Sequence, residues 1–259
     1  MSLVNPQTAK TFVDSVDLSG LPGSRRFATE PAKPFIPHAD KDQAVVLGSE
    51  VISFAKGVSG ETRQVIADST LFAQLTANKQ VPDANEIDRW YEKYFEVLTS
   101  VGWTLANKSF VNYQASSDDV DVTQAVLSIA AGLLGGSATT AFQLVKSALD
   151  ALTKGAENQP WVTLFKRESQ RSQAGRFQVA VVHPDADSGF VISSMAFSLR
   201  ATSTLTQVLF VKVRSDLAEF RQASGDVTIN EKVLASVSPI IGQKLITYAE
   251  SYVKQLPDL

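Results

Sequence analysis

Apolar residues along this chain follow two regimes, a helical spacing up to about residue 158 and strand-like alternation after it. From Asp40 to about Phe54, Ala44, Val45, Leu47, Val51, Ile52 and Phe54 recur at helical spacing behind an acidic start, which predicts a first helix. Ser59 is a natural N-cap for a second, running through Val65, Ile66, Leu71, Phe72 and Leu75 to about Asn78. Asp83 opens a third, whose Ile87, Trp90, Tyr91, Tyr94, Phe95, Val97, Leu98 and Val101 form a broad aromatic face. Leu105 to Tyr113 has mixed spacing and predicts a short extended piece before the polar turn Ser116 to Asp119.

Val122 to Val145 carries no charge and is bounded by Asp121 and Lys146. Helical periodicity is present on both sides of Gly135-Gly136, and each glycine weakens a helix interior by roughly 1 kcal/mol. The pattern therefore predicts a break at the pair, with Ser137 as the next N-cap and Phe142, Leu144, Val145, Leu149 and Leu152 carrying the helix on to a left-handed stop at Gly155.

After Pro160 the period changes. Trp161 to Glu168 reads as a strand; Phe177, Val179 and Val181 alternate on a second; Pro184 to Gly189 supplies turn chemistry; and Phe190, Ile192, Met195, Phe197 and Leu199 continue on the returning strand. Gln207 to Arg214 and Ala218 to Ile229 complete an antiparallel meander. From about Asn230, Val233, Leu234, Val237, Ile240, Ile241, Leu245, Ile246, Tyr248, Ala249 and Val253 define an amphipathic helix that covers it. The fold class that follows is α+β: a helical N-terminal half with a glycine-interrupted hydrophobic helical hairpin, then a C-terminal antiparallel β-meander covered by a C-terminal amphipathic helix. The expected division is a proline-rich extended arm over 1–39, with Pro6, Pro22, Pro31, Pro34 and Pro37, a helical region over 40–158, and the sheet with its helix over 159–259.

Composition narrows the chemistry. The 24 basic and 27 acidic residues nearly balance, so no global positive field draws the chain to nucleic acid. Without cysteine there is no thiol nucleophile and no disulfide framework, and no Gly-x-Ser-x-Gly elbow or phosphate-binding glycine loop occurs. The two histidines, His38 and His183, have no nearby partner at metal-ligand spacing, so no metal and no cofactor is expected. Nor does the chain open with a basic segment followed by an apolar run, which predicts a cytoplasmic location or export by a non-Sec route.

The charge-free run is the feature that points to an action. Ser128, Gly132 and Gly136 fall on one helical face, a pattern that lets helices approach closely in bilayers and tight bundles. Ser128, Gly132, Leu133, Leu134, Gly135, Gly136 and Phe142 are the candidate contacts to membrane or partner. Lys166, Arg167, Arg171 and Arg176 form a weaker candidate anion contact on a polar loop. The leading expectation is a non-enzymatic protein of bacterial type, toxin-like or virulence-type, that meets membrane lipid or a partner through a buried apolar hairpin. A soluble module binding an apolar ligand is the first alternative. An enzyme using Asp, Glu, Lys or Tyr without a familiar motif is the second, favoured if a pocket gathers His183 with two carboxylates.

Overall fold

The computed structural model describes residues 4–21, 35–114, 118–155, 158–171, 173–186, 189–202, 205, 209, 211–214 and 216–256. In chain order the elements are α1 (Pro6–Ser15), β1 (Gln43–Leu47), β2 (Glu50–Phe54), α2 (Gly60–Gln80), α3 (Ile87–Ser100), β3 (Trp103–Leu105), β4 (Val111–Asn112) and β5 (Asp119–Asp121). There follow α4 (Val122–Leu133), α5 (Thr140–Lys154), α6 (Pro160–Ser169), β6 (Gln170–Arg171), β7 (Ala174–Asp185), β8 (Gly189–Ala201), β9 (Lys212–Arg214), β10 (Ala218–Ile229), α7 (Glu231–Leu245), α8 (Ala249–Tyr252) and β11 (Val253–Gln255). The class is α+β.

One sheet runs through the molecule in the order β11-β1-β2-β7-β8-β10-β3, with β4 on β10 and β6 on β7. The β7, β8 and β10 meander is antiparallel as the alternation predicts. The β2–β7 pairing is parallel, Glu50 lying opposite Gln178. Helices cover both faces. Val45, Leu47, Ile52 and Phe54 join the cluster formed by α1, α2, α3 and α7, whereas Ala44, Val46 and Val51 join that of α4, α5 and α6. Within α7, which caps at Asn230, Val233, Leu234, Val237, Ile241 and Leu245 pack on the first of these faces beside Ile192 and Val227.

Burial on both faces explains why the segment expected as the first helix is instead the β1–β2 hairpin. Every residue of both strands is buried, so the alternation that marks a half-exposed strand is absent and the apolar run mimics a helical spacing. The hairpin turns at Gly48, held at φ +55°; a β-carbon there would stand 2.4 Å from Gln74 Oε1. Trp161 to Glu168, expected as a strand, is helical in α6 because Pro160 sits at the first helical position, where its fixed φ suits the helix and its missing N–H costs nothing.

Other boundaries also move. Gly155 ends α5 at φ −63°, extended rather than left-handed. The arm contains α1: Pro6 opens it, and the Asn5 side chain accepts the Thr8 N–H at 2.9 Å. Pro22, Pro31 and Pro34 lie outside the described residues. So do Ser116, Ser117, Asp187, Ser188 and much of the strand expected from Gln207, of which Lys212–Arg214 forms β9 and pairs with β5 in a separate two-stranded ribbon. The closing helix, expected to run on to Val253, ends at Leu245 with Ile246 exposed; Ala249 falls in the short α8, and Val253 opens the edge strand β11, which closes on β1.

Candidate functional site

The charge-free segment folds as two helices broken where the sequence places the break. Asp121 caps α4 by accepting the Gln124 N–H at 3.1 Å, and Thr139, two residues beyond the expected Ser137, caps α5 by accepting the Phe142 N–H at 3.2 Å. Between the helices Gly135 and Gly136 stand at φ +76° and +118°, backbone that only glycine adopts without strain. The Gly136 N–H donates to Ala131 O at 2.8 Å, and Gln143 Nε2 donates to Ser137 O at 2.7 Å.

α4 turns Val122, Ala125, Val126 and Ala130 toward the sheet, and α5 turns Phe142, Leu144, Val145, Ala148, Leu149 and Leu152. The small-residue row is on the other side. Ser128 and Gly132 are exposed, and a β-carbon at Gly132, Gly135 or Gly136 would meet nothing within 4 Å. The row is therefore not a helix–helix seam, because the alanine and valine face has taken the packing role. Of the other candidate contacts, Phe142 is buried while Leu133 and Leu134 are only partly covered. Among the described residues no helix is long and apolar enough to cross a membrane.

Beside this bend lies an open cleft of about 780 Å³. Leu133, Leu134, Thr139, Thr140 and Ala141 form one wall; Asp42, Lys56, His183, Ser193 and Asp226 supply the polar groups opposite. The sheet register explains the gathering. Ser193 lies opposite both Val181 and Asp226, and His183, two residues beyond Val181, shares its face. The carboxylates are engaged elsewhere: Asp226 Oδ1 accepts Ser193 Oγ at 2.7 Å, and Asp42 Oδ1 accepts the Lys56 N–H at 2.6 Å. His183 Nδ1 lies 3.3 Å from Pro184 O. Among the described residues no hydrogen bond joins the imidazole to either carboxylate, and no cluster of three His, Asp or Glu could hold a metal.

The basic candidates do not share a loop. Lys166 and Arg167 are in the last turn of α6, where Arg167 Nε bonds Glu168 Oε1 at 2.6 Å and its guanidinium lies 5.1 Å from the Tyr252 ring centre. Arg171 belongs to β6, and its side chain is outside the described set. Arg176 is buried in β7; its guanidinium stacks on Trp90 at 4.2 Å and donates to Asn78 Oδ1 at 2.8 Å.

A polar constellation with no sequence motif fills the seam between the sheet and the α2–α3 layer. Glu50 Oε2 accepts Tyr94 OH at 2.7 Å and Gln74 Nε2 at 3.4 Å. Gln74 Nε2 also donates to Leu47 O, and Gln74 Oε1 accepts the Ser49 N–H at 3.1 Å. Ser49 Oγ donates to Gln178 Oε1 at 3.0 Å, Gln178 Nε2 to Tyr91 OH at 2.9 Å, and Tyr91 OH to Phe197 O at 2.7 Å. Burial raises the Glu50 carboxyl to about 7 against the two hydrogen bonds that favour its anion. Desolvation also raises both tyrosines, Tyr94 further because of the adjacent Glu50. The signal available in sequence was a lone Glu50 inside the apolar run 44–54.

No family model and no curated protein matches the chain. Solved structures similar to it include the Evf virulence factor, at 13% identity and a TM-score of 0.37 over 97% of this chain and 91% of that one. A delta-endotoxin aligns at 12% identity and 0.40, covering 80% and 90%. Activated Cyt2Ba monomer from Bacillus thuringiensis subsp. israelensis aligns at 13% and 0.35, covering 63% and 91%.

Proposed function

We propose that the protein is a non-enzymatic, membrane- or partner-interacting protein whose action passes through the α4–α5 pair, of the toxin-like or virulence type. The observation that carries this reading is the bend itself. It is free of charge from Val122 to Val145, it presents Leu133 and Leu134 partly uncovered, and open space surrounds Gly132, Gly135 and Gly136. An apolar surface of this kind is stabilised by a lipid or protein contact that removes it from water. Both helices are too short to span a bilayer, and lying in an interface requires their apolar faces, which pack on the sheet, to turn outward.

The test is co-sedimentation with, and dye leakage from, neutral and anionic liposomes between pH 5 and 7.5, for the native chain and for Leu133→Asp. The expected result is binding or leakage by the native chain and its loss in a variant that still folds. A Leu133→Asp variant that cannot fold would return Leu133 to the core, and absence of both signals in the native chain would overturn the membrane reading.

A second reading rests on the cleft, which gathers His183 with Asp42 and Asp226. It is a ligand-binding module, or an enzyme in which a bound substrate bridges groups that do not touch one another here. Calorimetric screening of amphiphilic and polar small molecules against the native chain and His183→Ala separates it from the first: saturable binding lost in the variant supports the cleft.

A further inference from the structure

The Glu50 constellation stands apart from the α4–α5 pair and from the cleft, on the opposite face of the sheet. Glu50 is 3% exposed and opens β2, so its carboxyl is fixed by the β1–β2 turn on one side and by two helices on the other. Its partners are neutral: a phenol from α3 and a carboxamide from α2. The charged and titratable groups on the surrounding elements are otherwise committed. From β7, Arg176 is held by Asn78 and the Trp90 ring. From α6, Glu168, which lies beside Gly48, is bonded to Arg167, and Arg167 in turn lies over Tyr252 of α8. From α3, Tyr91 points into the sheet backbone at Phe197 O; α2 sets Gln74 against the carboxyl, while its Arg63 bonds Gln43 Oε1 and the Val58 and Ala55 carbonyls, its Asp68 accepts from Gln64, and its Lys79 bonds Asp17. Among the described residues no cation bonds to Glu50.

Both bonds are donated to the carboxyl oxygen, yet an anion sealed here with no cation is not fully compensated, because hydrogen bonds from neutral donors only partly replace lost hydration. We propose that Glu50 is a pH-sensitive lock between the sheet and the α2–α3 layer, closed when the carboxyl is protonated and loosened when it ionises. The sign follows from the direction of the perturbation. Burial disfavours the anion, so the native state holds its proton to higher pH than the open state, and the closed seam loses stability as pH rises toward and through neutrality. Loosening would uncover the aromatic side of α3, with Trp90, Tyr91, Tyr94 and Phe95. It would do so on the face away from α4, so an alkaline response here does not depend on the membrane reading.

Two measurements on the intact chain test it. The Glu50 carboxyl carbon followed by NMR should titrate near 7. A midpoint at the ordinary glutamate value would overturn the proposal. Amide exchange in α2 and α3, corrected for its intrinsic pH dependence, should quicken about tenfold between pH 6 and 8.5 in the native chain. Glu50→Gln, which keeps an acceptor for Tyr94 OH, should remove most of that pH dependence, the remainder belonging to Asp68 of α2, while leaving exchange in α4 and α5 unchanged. A variant that retained the native pH dependence would assign the effect to another group and overturn the lock. Should the variant fail to fold, the carbon titration decides alone.

Discussion

The two helical layers cover the same sheet with different materials. On one face α3 lays down an aromatic row. Trp90 stacks on Tyr94 with ring centres 5.2 Å apart and planes 12° from parallel, Tyr91 stacks on Phe95, and each polar end finds a partner, Trp90 Nε1 at Asn78 Oδ1 and Trp103 Nε1 at Ser69 Oγ. On the other, α4 offers Val122, Ala125, Val126 and Ala130, its ends fixed by Asp121 and by a glycine bend where an added β-carbon would meet nothing within 4 Å. Large rings with satisfied polar tips hold one geometry, whereas small aliphatic groups give up less on separation. The difference is between a helix held by rings with satisfied polar tips and one held by small aliphatic groups against the second core.

The contrast is broken most strongly at Trp90. Trp90→Ala should cost about 3–5 kcal/mol in chemical denaturation, since it removes a buried ring, its stack and the platform under Arg176. Next comes the bend. Gly136→Ala should cost about 1–2 kcal/mol, from backbone strain alone, because the methyl meets no neighbour. A larger loss would show that the bend is packed in solution.

Asp68 sharpens the comparison in the opposite direction. Burial raises its carboxyl to about 6 against a hydrogen bond from Gln64. It therefore stabilises the fold at acid pH and opposes it as pH rises through 6. Asp68→Asn should stabilise the chain by about 1 kcal/mol at pH 7.5, after allowance for partial exposure, and by nothing near pH 4. The smallest effect is expected at Leu133, where truncation to alanine should cost less than about 1 kcal/mol, against the 2–5 kcal/mol of a sealed leucine. Thermal melts of this variant beside Leu71→Ala, on the other face, set the two layers side by side.

Where one side of an element faces water, the sequence declared it. That holds for α3 and α7, whereas α2 and β7 are sealed along most of their length and are marked by other cues, the Ser59 cap of α2 and the alternating Phe177, Val179 and Val181 of β7. β1 and β2 are sealed on both faces, so their periodicity carries no information, and the decisive cues were the β-branched content and Gly48 at the turn. In α6 the apolar Trp161, Val162, Leu164 and Phe165 fit either period, and Pro160 was the residue that discriminated. The glycine break was legible because backbone conformation is local. The partial cover of Leu133, the gathering of His183 with Asp42 and Asp226, and the Tyr94–Glu50 bond were not, since each depends on strands and helices far apart in the chain.

That distance has a kinetic consequence. The first hairpin has no sheet to join until residue 178 arrives to lie beside residue 50, and its outer edge is covered only when Val253 to Gln255 pair with Val45 to Leu47. Closing such long loops delays the reward of every contact that depends on them, so folding is expected to be slow for a chain of this size. During synthesis the two earliest strands wait for residues 178–182 on one edge and for residues 253–255 on the other, which makes residues 43–54 the segment most in need of protection from association.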